Sequence, residues 1–221
     1  ALLYGIHPPQ IKPQPGQVYV MSLDLAGEDE NGNDLDNLAN PARDATALTI
    51  ARVNLDTIKD PGLLLPSYEI VYRQQWVGIK HTDIYGQILS MAATWSVKFL
   101  VVDATGVGAG LTAFLSRSLG SKVIPFTFNS RTKSDLGWSF LSLIDTGRLK
   151  TYAIPESVIA SETKQSPAGQ PQAECLQGTS AQCQPRGRLA ELNHEFFQQL
   201  QHCQYEILPG PDKKIKWSVP D

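Results

Sequence analysis

The sequence is poor in the residues that staple, anchor or ligate. Only three cysteines occur in 221 residues, Cys175, Cys183 and Cys203. Their odd number and the lack of a C-x-x-C spacing exclude a disulfide scaffold and fit free thiols in a reducing cytoplasm. No apolar run approaches the roughly 20 residues of a membrane span, and the first residues lack the charged-then-apolar pattern of a signal peptide. No glycine is directly followed by lysine, which excludes a Walker A phosphate loop and an ATPase of this chain's own. No G-x-S-x-G occurs, so a hydrolase triad has no nucleophile elbow. The four histidines, His7, His81, His194 and His202, have no zinc spacing with the cysteines or acids and read as surface or core-edge residues. What remains is one medium-sized domain, long enough to bury a core without staples.

The formal net charge of −3 speaks against a nucleic-acid partner until its distribution is considered. Seven acids (Asp24, Glu28, Asp29, Glu30, Asp34, Asp36 and Asp44) lie in one window against the single base Arg43. The rest of the chain holds 15 acids and 18 bases, a formal +3. Six bases fall between Arg117 and Lys150 against Asp135 and Asp145, and Lys213, Lys214 and Lys216 follow near the end. An acidic spot in a mildly basic body suits a cation site facing a polyanion. A solvated acidic loop with ordinary surface lysines gives the same totals.

Along the chain, residues 1–16 carry Pro8, Pro9, Pro13 and Pro15 and read as a linker or an extended arm that begins a piece of a longer protein. Residues 17–25 read as a strand covered on both faces, and 45–53 and 67–76 as two more, rich in β-branched and aromatic residues. The period then changes. Ile84, Ile88, Met91 and Trp95 predict a helix with Thr82 as its N-cap. A strand at 98–103, a helix at 108–119, a strand at 122–128 and a helix at 132–146, stopped by Gly147, follow. A meander followed by β-α units favours a mixed sheet with helices on its faces. Residues 155–187, with six glutamines, four prolines and two cysteines, read as a flexible insertion. A helix through Leu189, Leu192, Phe196 and Leu200 and a hairpin of 204–208 with 214–219 complete the pattern.

Two aspartates stand out by position. Asp24 nears the end of the first buried strand and Asp103 ends the apolar run FLVV. Carboxylates at the C-terminal ends of buried strands project into the crevice where α/β proteins bind ligands. If the two strands are neighbours, the carboxylates repel unless a cation lies between them, and hard oxygen ligands suit Mg²⁺ or Mn²⁺. Either aspartate alone also serves as a turn or helix cap. Asp44 opens the second strand, as a third ligand or as a turn residue. The run Asp103-Ala-Thr-Gly-Val-Gly-Ala-Gly110 has Leu111 where a dinucleotide fingerprint needs its third glycine, so the glycines read as a tight turn beside the acid. Arg131 and Lys133 stand at the start of the 132–146 helix, either as phosphate contacts or as a solvated helix start.

The runs VYVMSLDLAGE, DATALTIARV, KFLVVDATGVGAGLTAFL and VIPFTFNSRTKSDLGWSFLSLIDTGRLK together resemble the nuclease domain of tailed-bacteriophage large terminase subunits. The resemblance covers residues 17–153 well and the last 35 more loosely. It implies an RNase H-like α/β fold, a mixed five-stranded sheet of order 3-2-1-4-5 flanked by helices, plus a C-terminal hairpin. That order makes the strands of Asp24 and Asp103 neighbours. It implies metal-dependent endonuclease cleavage of concatemeric double-stranded DNA during genome packaging, with two Mg²⁺ or Mn²⁺ ions held by Asp24 and Asp103. Arg131 and Lys133 are then DNA-binding. The implied partners are double-stranded DNA, an ATPase domain of the same parent protein, and the portal and small terminase proteins, with no membrane, in the host cytoplasm. The family's third carboxylate is expected beyond Asp221, since WSVPD reads as the approach to it and the domain at 17–221 as truncated. Two other readings stand beside this one. A resolvase- or transposase-like nuclease requires a third acid, such as Glu191 or Glu195; a non-catalytic docking domain for DNA or portal requires no metal site.

Overall fold

The computed structural model describes residues 3–26, 45–106, 108–153 and 186–218. Its centre is a six-stranded sheet of β1 (Val18–Asp24), β2 (Ala45–Asn54), β3 (Ser67–Val77), β4 (Phe99–Asp103), β5 (Val123–Phe126) and β6 (Leu149–Lys150), in the order β5-β4-β1-β2-β3-β6. Pairs β1–β2 and β2–β3 are antiparallel; β1–β4, β4–β5 and β3–β6 are parallel. Among the described residues four α-helices accompany the sheet: α1 (His81–Thr94), α2 (Gly108–Leu119), α3 (Ser130–Asp145) and α4 (Arg186–His202). A separate hairpin pairs β7 (Gln204–Ile207) with β8 (Ile215–Ser218). This is the expected mixed α/β sheet with one addition: β6, two residues long, sits on the outer edge of β3 and has no periodicity a sequence can show.

The period-2 pattern of β1 builds the core. Met21 pairs with Ile50 on β2 and Leu100 on β4; Leu23 pairs with Leu48 and Val102. All six are buried, and the same cluster takes in Ile84 and Ile88 of α1 and Leu111 and Leu115 of α2. Full burial of each such side chain is worth about 1.5–3 kcal/mol. β1 departs from the expected double cover. Tyr19, Met21 and Leu23 are buried, but on the other face Val18 and Val20 are only half-buried and Ser22 and Asp24 are exposed. That second face opens into a cleft.

β3 is covered on both sides. Tyr72 packs against Trp95 at the C-terminal end of α1, with ring centroids 5.7 Å apart, while Arg73 reaches Asn193 of α4 at 2.6 Å. Neighbouring strand residues point to opposite faces, so α1 and α4 lie on opposite sides of the sheet. Arg73 is buried among polar and aromatic partners. Its Nη1 also donates to Thr151 Oγ1 at 2.9 Å, and its guanidinium lies 4.2 Å over the Phe196 ring. Burial draws the Arg73 guanidinium below its ordinary pKa and pushes the Tyr152 phenol above its own.

The helix ends differ in detail from the sequence pattern. α1 starts one residue before Thr82, with Lys80 at the N-cap and no side-chain cap, so Thr82 stands exposed inside the first turn. Asp83 in that turn complements the helix dipole instead. α3 starts at Ser130 because Asn129 caps it: Asn129 Oδ1 accepts from Arg131 N at 2.9 Å and Thr132 N at 3.0 Å, and Thr132 Oγ1 accepts from Asn129 N at 2.9 Å. α3 ends as expected at Gly147, whose φ of 65° lets Gly147 N reach Ile144 O and Arg148 N reach Leu143 O, both at 2.9 Å.

Residues 3–16 lie along the β3–β6 side of this same chain. Leu3 and Gly5 bracket Thr151, with Thr151 N donating to Leu3 O at 2.8 Å and Gly5 N to Thr151 O at 2.9 Å. Gln10 N donates to Val71 O at 2.8 Å, and Tyr4 stacks on Phe197 with centroids 4.1 Å apart. Residues 27–44, 154–185 and 219–221 lie outside the described residues, and with them all of the expected 155–187 insertion except Arg186 and Gly187, which begin α4; Asp44, Cys175, Cys183 and Asp221 also fall outside.

Candidate active site

The parallel register of β1 and β4 decides the geometry. Leu23 is paired with Val102, so Asp24 and Asp103 are the next residues on two adjacent strands running the same way. Adjacent strands lie about 4.8 Å apart. Both aspartates line one cleft of about 400 Å³ at the C-terminal ends of these strands. Its walls are Ser22, Thr49, Phe126, Phe128 and Leu136, among others. Asp24 is exposed and Asp103 half-buried.

Local chemistry fixes Asp103 in place. Its Oδ1 accepts from Thr105 N at 2.8 Å, which folds the chain back immediately after the strand. Ala104 N donates to Phe126 O at 2.8 Å, tying the turn to β5. The glycines of the following turn have a steric reason: a Cβ on Gly108 would collide with the backbone carbonyl of Asp103, so only glycine lets α2 begin this close to the acid. Gly110, inside the first turn of α2, has open space around it. Thr105 also works in the opposite direction, its Oγ1 accepting from Phe128 N at 2.9 Å. Through that bond the Asp103 turn is joined to the loop that carries Phe128 and the Asn129 cap of α3. The spacing Asp-x-Thr directly after an apolar strand is a readable signal for this turn.

The donor set is all oxygen: two carboxylates, with the hydroxyls of Ser22 and Thr49 in the same cleft. Such a set fits Mg²⁺ or Mn²⁺, since Mg²⁺ keeps several waters and is commonly held by one or two carboxylates plus substrate phosphates. Among the described residues no group of three or more His, Cys, Asp or Glu side chains gathers as a metal cage.

The other expected residues lie apart. Arg131 and Lys133 sit exposed in the first turn of α3, outside the cleft that Leu136 of the same helix lines. Arg131 Nε is 3.8 Å from Asp135 Oδ2, and Lys133 Nζ is 5.7 Å from the Phe128 ring centre. Glu191 and Glu195 belong to α4, which packs against β3; Glu191 pairs with Arg188 at 2.9 Å and Glu195 accepts from Gln199 at 3.2 Å. Neither lines the cleft. His81 Nε2 is 3.2 Å from Ala26 O, just past β1.

No family model and no curated protein matches the sequence. Solved structures match its fold. The large terminase nuclease from thermophilic phage G20c with bound magnesium aligns with a TM-score of 0.55 and 13% identity, over 100% of this chain and 85% of that one. A second crystal structure of the G20c nuclease gives 0.54 and 13%, over 99% and 84%. The large terminase nuclease domain of Thermus phage P74-26 gives 0.52 and 12%, over 99% and 82%. At these identities the likeness is one of fold: the chain adopts the RNase H-like fold of phage large terminase nuclease domains.

Proposed function

We propose that this chain is a divalent-metal-dependent DNA endonuclease domain, of the kind that cuts concatemeric double-stranded DNA during phage genome packaging. The observation that carries the reading is the pairing of Asp24 and Asp103 at the ends of adjacent parallel strands in one cleft. Two carboxylates so placed can share a cation. In this reading Asp24 and Asp103 hold Mg²⁺ or Mn²⁺, as a pair of ions. When bound, such ions supply Lewis-acid charge that makes water a nucleophile at neutral pH and stabilises the departing 3′-oxygen.

The chain's own residues do the rest. Thr105 N–H holds one oxygen of Asp103 and so limits the rotation of a carboxylate that lines the cleft. Arg131 and Lys133 contact phosphates as point charges that position the duplex without reading its sequence. The domain comprises residues 17–221, preceded by the 1–16 arm. Its partners are double-stranded DNA, an ATPase domain of the same parent protein, and portal and small terminase proteins in the host cytoplasm. No described helix is long and apolar enough to cross a membrane.

The test is nicking of supercoiled plasmid in Mn²⁺ or Mg²⁺, with Asp24→Ala and Asp103→Ala as controls of matched thermal stability. Cleavage lost in both supports the reading, and undiminished cleavage by both defeats it. Calorimetric titration of Mn²⁺ separates a docking domain from an enzyme, because a docking domain takes up no ion at this pair.

A further inference from the structure

Beside the cleft, α3 and the β7–β8 hairpin enclose a second and larger groove of about 680 Å³. Its walls include the rings of Phe128, Phe140 and Trp217; Lys133, Lys214 and Lys216 also line it, and among the described residues no Asp or Glu does. The groove is built, not incidental. A Cβ on Gly137 would strike the Trp217 indole, so the missing side chain on α3 is what lets β8 seat there. Ile215 N donates to Ser134 Oγ at 3.0 Å and Trp138 Nε1 to Lys213 O at 3.0 Å, which clamps the hairpin to the helix. Phe128 and Leu136 line both this groove and the cleft of Asp24 and Asp103, so the two adjoin.

The lining holds three lysines and, among the described residues, no acid; Lys214 Nζ also lies 4.0 Å from Asp212 Oδ2, and Lys216 is opposite Glu206 across the hairpin, exposed pairs worth little enough to yield to a phosphate. The charge suits an anion, but the apolar walls are wrong for the outside of a duplex. A paired duplex presents phosphates and hides the flat faces of its bases. An unpaired strand presents both, and strand-binding grooves combine cationic contacts to the backbone with aromatic side chains under the bases. We propose that the groove between α3 and the β7–β8 hairpin binds an unpaired DNA strand adjoining the phosphate to be cut, with Phe140 and Trp217 against its bases and Lys214 and Lys216 on its backbone. The assignment deepens the nuclease reading and rests on it for the identity of the neighbouring cleft. The hairpin then serves to hold a locally opened strand at the carboxylate pair.

Binding is measured by fluorescence anisotropy in EDTA, where no cleavage occurs, with a labelled oligothymidylate and a duplex of equal length, each about ten nucleotides long. The single strand is expected to bind at least about tenfold more tightly than the duplex. Lys214→Glu with Lys216→Glu costs about tenfold or more and lowers the slope of log K against log salt by about 1.4, the share of two phosphate contacts on a single strand. Phe140→Leu, which keeps an apolar side chain but removes the π face, weakens binding about fivefold or more and leaves the salt slope unchanged. In a Cys175→Ser, Cys183→Ser background, the strand also slows alkylation of Cys203, which lines the groove. A duplex bound as tightly as the strand, Cys203 unshielded at saturation, or Cys203 shielded without DNA by a second copy of the chain overturns the proposal. The plasmid assay keeps the two readings apart. Strand binding without nicking removes the nuclease and leaves the groove; nicking without strand binding does the reverse.

Discussion

One face of the sheet carries charge in two places, treated in opposite ways. Ser22 of β1, Thr49 of β2 and Arg73 of β3 form a single cross-strand row. At the β3 end of that face α4 covers the sheet, and Arg73 is 7% exposed, bonded to Thr151 and Asn193 and stacked on Phe196. At the β1–β4 end the cleft lies open, and two carboxylates stand side by side in it. The arginine is held internally through Nη1 and the Phe196 ring, within a network that ties α4 and residue 151 to the sheet. The aspartate pair concentrates like charge at the mouth of a cleft. Charge that holds a fold together is buried with hydrogen-bonding partners; charge meant for a ligand is held in position and left accessible.

Substitutions at the two ends should therefore separate activity from stability. The largest effect is expected from Asp24→Asn or Asp103→Asn: plasmid nicking falls more than about 1,000-fold, the scale of losing several kcal/mol of transition-state stabilisation. The thermal midpoint stays close to that of the parent chain, because both positions line an open cleft and asparagine keeps the oxygen acceptor that Thr105 N uses. Gly108→Ala comes next. Its new methyl meets the Asp103 carbonyl, so nicking drops about 100-fold through a displaced carboxylate, with about 1–3 kcal/mol of destabilisation measured by urea melts. Asn193→Leu gives the reverse signature, about 2 kcal/mol lost and a midpoint lowered by roughly 5 °C, with unchanged activity per folded molecule. Loss of nicking in Asn193→Leu at a temperature where it is folded would erase the contrast. Smallest is Arg131→Gln with Lys133→Gln. Duplex affinity weakens a fewfold alike for all sequences, and the salt slope decreases by about 1.8 if both residues contact phosphates.

The residues differ in how openly the sequence announces them. Asp24 and Asp103 are visible because each follows a compact apolar strand, and strand ends are where ligands meet α/β sheets. The five long strands and the helices declare themselves by period, since burial on one face imposes it. What escapes is whatever depends on distant parts meeting. Arg73 reads as one polar residue in a strand, and its burial follows only once α4 delivers Asn193 and Phe196. β6 is two residues that pair because β3 offers an edge. The second groove joins α3 to a hairpin some 70 residues further on, and its key feature, Gly137, is an inconspicuous glycine inside a helix. Asn129 is readable: Asn-x-x-Thr before an amphipathic run is a capping box.

The bracket around Thr151 has a consequence for the order of events in folding. Leu3 and Gly5 meet a residue nearly 150 positions away, which makes these among the most non-local contacts in the chain. Loop-closure entropy opposes such contacts until the intervening sheet exists, so the arm docks after the core has condensed. It is held by hydrogen bonds to the edge residues 151 and 153, to Ile70 and Val71 of β3 and to the Tyr19 hydroxyl, by one stacked ring pair, and by little buried surface beyond Leu3. Segments of that kind open well below the global unfolding free energy. The amide of Gly5 should exchange with solvent far sooner than that of Ile50, and the β3–β6 edge is the first part of the sheet to be uncovered.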